Sequence, residues 1–84
     1  MYTIIIPPRA QKRLKIIPKF YKRAIKEALN EIKEDPFAGK PLTRELIGRF
    51  SFRVGVYRII YKVNRKDKII DIFFAGHRAI VYEK

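Results

Sequence analysis

The chain has no cysteine, no tryptophan and a single histidine, His77. Without cysteine there is no disulfide framework, thiol nucleophile or thiolate metal site. One imidazole does not build a zinc site within one chain, and the sequence offers no other metal cage. The four glycines, at 39, 48, 55 and 76, fit neither a phosphate-binding P-loop nor a dinucleotide fingerprint. Purely apolar runs such as Ile4 to Ile6 are far too short to span a bilayer. The N-terminus reaches Pro7 and Pro8 too soon to contain a secretory apolar region. Acidic residues are scarce: 8 Asp and Glu stand against 20 Lys and Arg, for a net charge of +12. These absences lead to the expectation of a small cytoplasmic protein with no membrane and no small-molecule cofactor, whose partner is a polyanion.

What is present suits one domain over residues 1–84. Hydrophobic residues make up 48% of the 84 residues, too many for a disordered basic tail. A domain this small has a thin core. The 6 Phe and 5 Tyr should therefore supply much of the burial.

Tyr2 to Ile6 reads as a strand, rich in Thr and Ile and too short for a helix. Pro7 and Pro8 end it and suit the first turn of a helix. Ala10, Leu14 and Ile17 recur at spacings of four and three, which gives one apolar helical face. Pro18 breaks that helix and opens a longer one, on which Tyr21, Ile25, Ala28, Leu29 and Ile32 fall on one stripe. This second helix carries Lys19, Lys22, Arg23 and Lys26 in its first half and Glu27, Glu31, Glu34 and Asp35 at its end. That order opposes the helix macrodipole. It marks either a basic end with another task or a solvated charged face.

Residues 36 to 43 read as a loop, with Pro36, Gly39 and Pro41. From Arg49 the period changes to two, with Phe50, Phe52 and Val54 alternating with Arg49, Ser51 and Arg53. Gly55 marks a tight turn. Strands over 56–63 and 68–75 follow, joined by the polar turn Asn64-Arg65-Lys66-Asp67. The segment from Gly76 to Lys84 reads as strand or short helix. The fold class expected is α+β: an N-terminal strand, a two-helix hairpin, then a three-strand antiparallel meander, with one sheet face covered by the helices.

Register sharpens this reading. With Arg53 paired to Val56, Ser51 faces Arg58 and Arg49 faces Ile60, and opposed residues point to the same side of a sheet. Arg49, Ser51, Arg53 and Arg58 then share one face, and a one-residue slip would disperse them. Guanidiniums so clustered repel one another unless an anion binds, and phosphate matches their planar fork. Taken singly, Arg58 has a structural alternative in an ion pair with Asp71, and Arg49 and Arg53 have one as a solvated face that blunts aggregation. Beyond the last strand, Gly76-His77-Arg78 and Val81-Tyr82 gather further candidates. His77 is the side chain whose ordinary titration range suits proton transfer near neutrality, although a lone histidine is more often structural or simply solvated. Tyr82 is either a surface aromatic or a base-stacking one.

The run Phe52-Arg53-Val54-Gly55-Val56-Tyr57-Arg58-Ile59-Ile60-Tyr61 resembles the strand pair of the RelE/ParE toxin superfamily, and Gly76-His77-Arg78 with Val81-Tyr82 is similar to its C-terminal motif. The resemblance covers essentially the whole chain. It implies a RelE-like fold and, in the RelE branch, a toxin of a type II toxin–antitoxin system that cuts mRNA on the ribosome without a metal. It assigns catalytic roles to Arg58, Arg78 and Tyr82, with Arg49, Ser51, Arg53 and His77 as substrate- or phosphate-binding residues. The RelE branch often places lysines where this chain has Arg49, Ser51 and Arg53, a departure that leaves Tyr82 or His77 as the general base. The partners implied are mRNA, the ribosome and a cognate antitoxin, which against a +12 protein should be acidic. The alternatives are a ParE-like toxin that inhibits DNA gyrase without catalysis, and a basic nucleic-acid-binding module.

Overall fold

The computed structural model describes residues 2–43 and 47–77. The elements run β1 (Thr3–Ile5), α1 (Pro8–Lys15), α2 (Lys19–Glu34), β2 (Lys40–Pro41), β3 (Arg49–Val54), β4 (Tyr57–Asn64) and β5 (Ile69–His77). The strands form one sheet in the order β1-β5-β4-β3-β2. The α+β architecture with a helix hairpin and an antiparallel β3-β4-β5 meander is as the sequence predicts.

Three features extend that expectation. The N-terminal strand pairs parallel to β5, Thr3 against Ile69 and Ile5 against Asp71. The loop after α2 contributes a fifth, two-residue strand, with Lys40 against Ser51 and Pro41 against Phe50. The β3–β4 hairpin turns at Gly55-Val56, where Gly55 has φ +59°, a conformation glycine adopts without steric cost. Val54 therefore pairs with Tyr57 and Arg53 with Arg58. The predicted pairings of Ser51 with Arg58 and of Arg49 with Ile60 are both displaced by two residues.

The helices start at prolines. Pro8 opens α1, and Pro18 is the N-cap of α2. Ala10, Ile17, Ile25, Ala28 and Ile32 are buried against Tyr57, Ile59, Tyr61, Ile70 and Ile72 of the sheet. Burial of an aliphatic or aromatic side chain is worth about 1.5–3 kcal/mol, so this single layer accounts for most of the hydrophobic drive. Phe50, Phe52 and Val54 pack at its margin, on the face of β3 that their alternation predicts.

No helix among the described residues is long and apolar enough to cross a membrane.

Candidate nucleic-acid interface

The sheet face away from the core gathers basic residues. Arg49, Ser51 and Arg53 alternate with the core-facing Phe50, Phe52 and Val54 on β3. Across the ladder, Arg53 stands opposite Arg58, Ser51 opposite Ile60, and Arg49 opposite Lys62. On the other side of β3, Lys40 stands opposite Ser51. Opposed residues share a face, so Lys40, Arg49, Arg53, Arg58 and Lys62 lie together. The two-residue displacement of the register changes their partners and leaves their side unchanged, because side chains alternate with a period of two.

Arg53 and Arg58, directly opposed, have Cβ atoms about 4.5–5.5 Å apart by strand geometry. Across β5, Arg58 meets Gly76, which presents no side chain. A Cβ at Gly76 would lie 3.1 Å from the Phe74 ring, so that ring occupies the adjoining space. The Asp71 partner considered for Arg58 is elsewhere. Asp71 pairs with Lys62, four residues along β4 from Arg58, or about 13 Å at 3.3 Å per residue.

Arg49 is set differently. Its guanidinium carbon lies 4.6 Å over the centre of the Phe73 ring, and it crosses β4 to get there. Its Nε is buried and has no hydrogen-bond partner among the described residues. Phe73 sits at a bulge in β5: Ile60 pairs with Phe74 while Tyr61 pairs with Ile72, so Phe73 is the extra residue. Bulges of this kind re-aim side chains.

The same bulge decides the position of His77. Simple alternation from Asp71 would place Phe73, Ala75 and His77 on the basic face. The extra residue advances the phase by one, so Gly76 comes opposite Arg58 and His77 opposite Tyr57. The His77 ring packs edge-on against Tyr57 at 5.7 Å, in a cleft with Arg13, Ile16 and Ile17. The structure thus brings Arg49, Ser51, Arg53 and Arg58 together and sets His77 on the helix side. Arg78 and Tyr82 lie outside the described residues.

Lys40 and Lys62 were not singled out from the sequence. Lys62 continues the alternation Arg58, Ile60, Lys62, a signal visible once Arg49 is placed opposite it. Lys40 lies in a segment that reads as loop. It is placed by Tyr61, whose hydroxyl donates to the Pro36 carbonyl at 2.7 Å and accepts from the Gly39 N–H at 3.1 Å. Burial pushes the Tyr61 phenol above its ordinary titration range, with the Gly39 hydrogen bond opposing and the Asp35 charge adding to the rise.

Chemically, the face offers fixed cations and the Ser51 hydroxyl around Arg53 and Arg58, with the Asp71 carboxylate opposite Lys62 at its far end. An arginine stays protonated and serves as a donor, so this arrangement binds and stabilises an oxyanion. Among the described residues no three of His, Asp and Glu cluster to hold a metal ion.

The chain matches the family model for the ParE toxin of the type II toxin–antitoxin system parDE over residues 4–82. It is 33% identical to toxin RelG of Mycobacterium tuberculosis over 85 residues, 99% of this chain and 98% of that protein. Its fold is similar to the toxin–antitoxin complex RelBE2 of the same organism, with a TM-score of 0.83 and 34% identity over 92% of this chain and 98% of that one. It is also similar to the archaeal RelE–RelB complex of Pyrococcus horikoshii, with a TM-score of 0.76 and 29% identity over 95% of this chain and 98% of that one.

Proposed function

The chain belongs to the family of ParE toxins of type II toxin–antitoxin systems, within the RelE/ParE superfamily, and we propose that it acts as a RelE-type endonuclease on mRNA in the ribosomal decoding site. The observation that carries this reading is the direct opposition of Arg53 and Arg58, with Lys40, Arg49 and Lys62 on the same face. Two opposed guanidiniums are mutually repulsive until an anion bridges them, and a phosphodiester supplies oxygens for both forks.

The reaction is an attack of a ribose 2′-oxygen on the adjacent phosphorus. The bond to the 5′-oxygen breaks, leaving a 2′,3′-cyclic phosphate and a 5′-oxygen that takes a proton from water to become the 5′-hydroxyl. Negative charge builds on the non-bridging oxygens, and Arg53 and Arg58, held on paired strands, stabilise it in place. Arg49 and Lys62 neutralise a neighbouring phosphate. The resemblance adds Arg78 to the same phosphate and Tyr82 to the nucleotide. With His77 on the helix side of the sheet, Tyr82 is the group left to take the 2′-proton.

The antitoxin is an acidic partner. The groove between α1 and α2 has an apolar floor of Leu14, Ile17, Ile25 and Leu29 and a rim of Lys15, Lys22 and Lys26. An amphipathic helix with acidic flanks complements it in both respects.

The test is purified protein on translating ribosomes, with mRNA ends mapped and gyrase supercoiling assayed in parallel. Cuts within codons are expected. Gyrase inhibition without any new mRNA ends would replace this reading with the ParE one.

A further inference from the structure

At the outer edge of the sheet β2 leaves β3 early. Their ladder ends at Lys40 and Ser51. The Leu42 N–H donates to the Arg49 carbonyl at 2.9 Å, which shows that Arg49 turns its main-chain groups toward β2. Main-chain direction alternates along an antiparallel strand, so Ser51 and Arg53 turn theirs the same way. Continuing the register, Ala38 would be the partner of Arg53. Instead the Ala38 N–H donates to the Asp35 carbonyl at 3.1 Å, and the Gly39 N–H is held by the Tyr61 hydroxyl. Arg53 is thereby left with a main-chain N–H and C=O that no strand pairs among the described residues.

These groups open on a cleft of about 500 Å³ lined by Ala38, Gly39, Lys40, Ser51, Phe52 and Arg53. Its size falls within the range of small-molecule sites, about 300–1,000 Å³. The Arg53 side chain, on the basic face, points to the phosphate cradle, while the main chain of the same residue edges the cleft.

We propose that this cleft is a nucleobase-binding subsite: it takes one base of single-stranded RNA, read by the Arg53 main-chain N–H and C=O, while the adjoining phosphate lies on the Arg53 and Arg58 side chains. A nucleobase carries a donor and an acceptor side by side on its Watson–Crick edge, and single-stranded RNA splays its bases for such contacts. Lys40, at the mouth, neutralises the phosphate on the other side of that base. The proposal rests on the RNA-cleaving reading and adds to it the place where sequence is read.

The experiment is an NMR titration of the ¹⁵N-labelled protein with a 2′-O-methyl trinucleotide, which lacks the attacking hydroxyl, and with the same trinucleotide abasic at its central position. The full trinucleotide should shift the main-chain amides of Ser51 and Arg53 and the side-chain Nε–H of Arg58. The abasic one should shift Arg58 while leaving the two amides near their free positions. Ala38→Trp, which fills the cleft from an exposed position, should weaken the full trinucleotide at least about tenfold, the scale of one base contact, and leave the abasic one unchanged. Equal amide shifts with both ligands, or an Ala38→Trp protein that binds both as before, would overturn the subsite and leave the cradle standing. No shift at Arg58 with either ligand would overturn cradle and subsite together.

Discussion

Gly39 and Tyr61, 22 residues apart, are joined by a hydrogen bond of 3.1 Å from the Gly39 N–H to the Tyr61 hydroxyl. That contact carries the loop after α2 onto the edge of the sheet and sets Lys40 beside Ser51. It needs a glycine, since a Cβ at residue 39 would stand 2.6 Å from the Tyr61 oxygen and 3.1 Å from the Ser51 carbonyl.

Tyr61→Phe strips the Pro36 carbonyl and the Gly39 N–H of their partner. Leaving such groups unsatisfied costs about 1–3 kcal/mol, which urea denaturation will measure. The wild-type protein should also lose stability as pH rises above the ordinary tyrosine value of 10.0. The raised phenol keeps its proton in the folded state after the unfolded state has lost it, so deprotonation favours unfolding. Tyr61→Phe should flatten that alkaline decline, and an unchanged decline would assign it to another group.

Arg58→Ala should lower mRNA cleavage on ribosomes by roughly 10²–10³, the usual effect of removing one preorganised charge donor. Because Arg58 faces Arg53, its loss also relieves repulsion, and the melting temperature should hold or rise. A variant that melts normally and cuts at the wild-type rate would remove Arg58 from the reaction. The resemblance makes the same forecast of rate for Arg78→Ala.

Phe73→Leu keeps an apolar residue at the bulge and removes the ring beneath Arg49. If stacking holds Arg49 in place, the change should weaken RNA binding in the presence of Arg49 and much less in an Arg49→Ala background. A coupling of about 0.5–2 kcal/mol in the double-mutant cycle is expected, the range from exposed to desolvated cation–π contacts. Additive effects would show that the ring does not act through Arg49.

His77→Ala should preserve the cleavage rate of the folded protein, since His77 packs on Tyr57 across the sheet from Arg58. Its cost should appear as a lower melting temperature. A normally folded variant without cleavage would return His77 to the list of candidate bases.

Affinity for ribosomes or single-stranded RNA should fall steeply with salt. Each phosphate neutralised contributes about −0.7 to the slope of log affinity against log salt on single strands. Converting Arg53 and Lys62 to Gln should make that slope shallower by about 1.4. A wild-type affinity insensitive to salt would argue against the basic face as a phosphate site.

Much of this protein was written in local pattern. Periods of three to four residues over 8–34 and of two over 49–54 follow from how helices and strands expose their faces. The prolines at 8 and 18 mark helix starts for a reason internal to proline. The basic face was also legible, because alternation binds Arg49, Ser51 and Arg53 to one side whatever their exact partners. Tertiary structure decided what depends on counting residues across strands. The turn at Gly55-Val56, one residue later than expected, moved the partner of Arg58 from Ser51 to Arg53. One extra residue at Phe73 sent His77 to the opposite face, and the fold brought the Phe73 ring under Arg49 from two strands away. Lys40 joined the site through a hydroxyl 21 residues further along the chain. Such outcomes depend on single-residue differences in register and on contacts between distant segments, which side-chain periodicity within one segment does not encode.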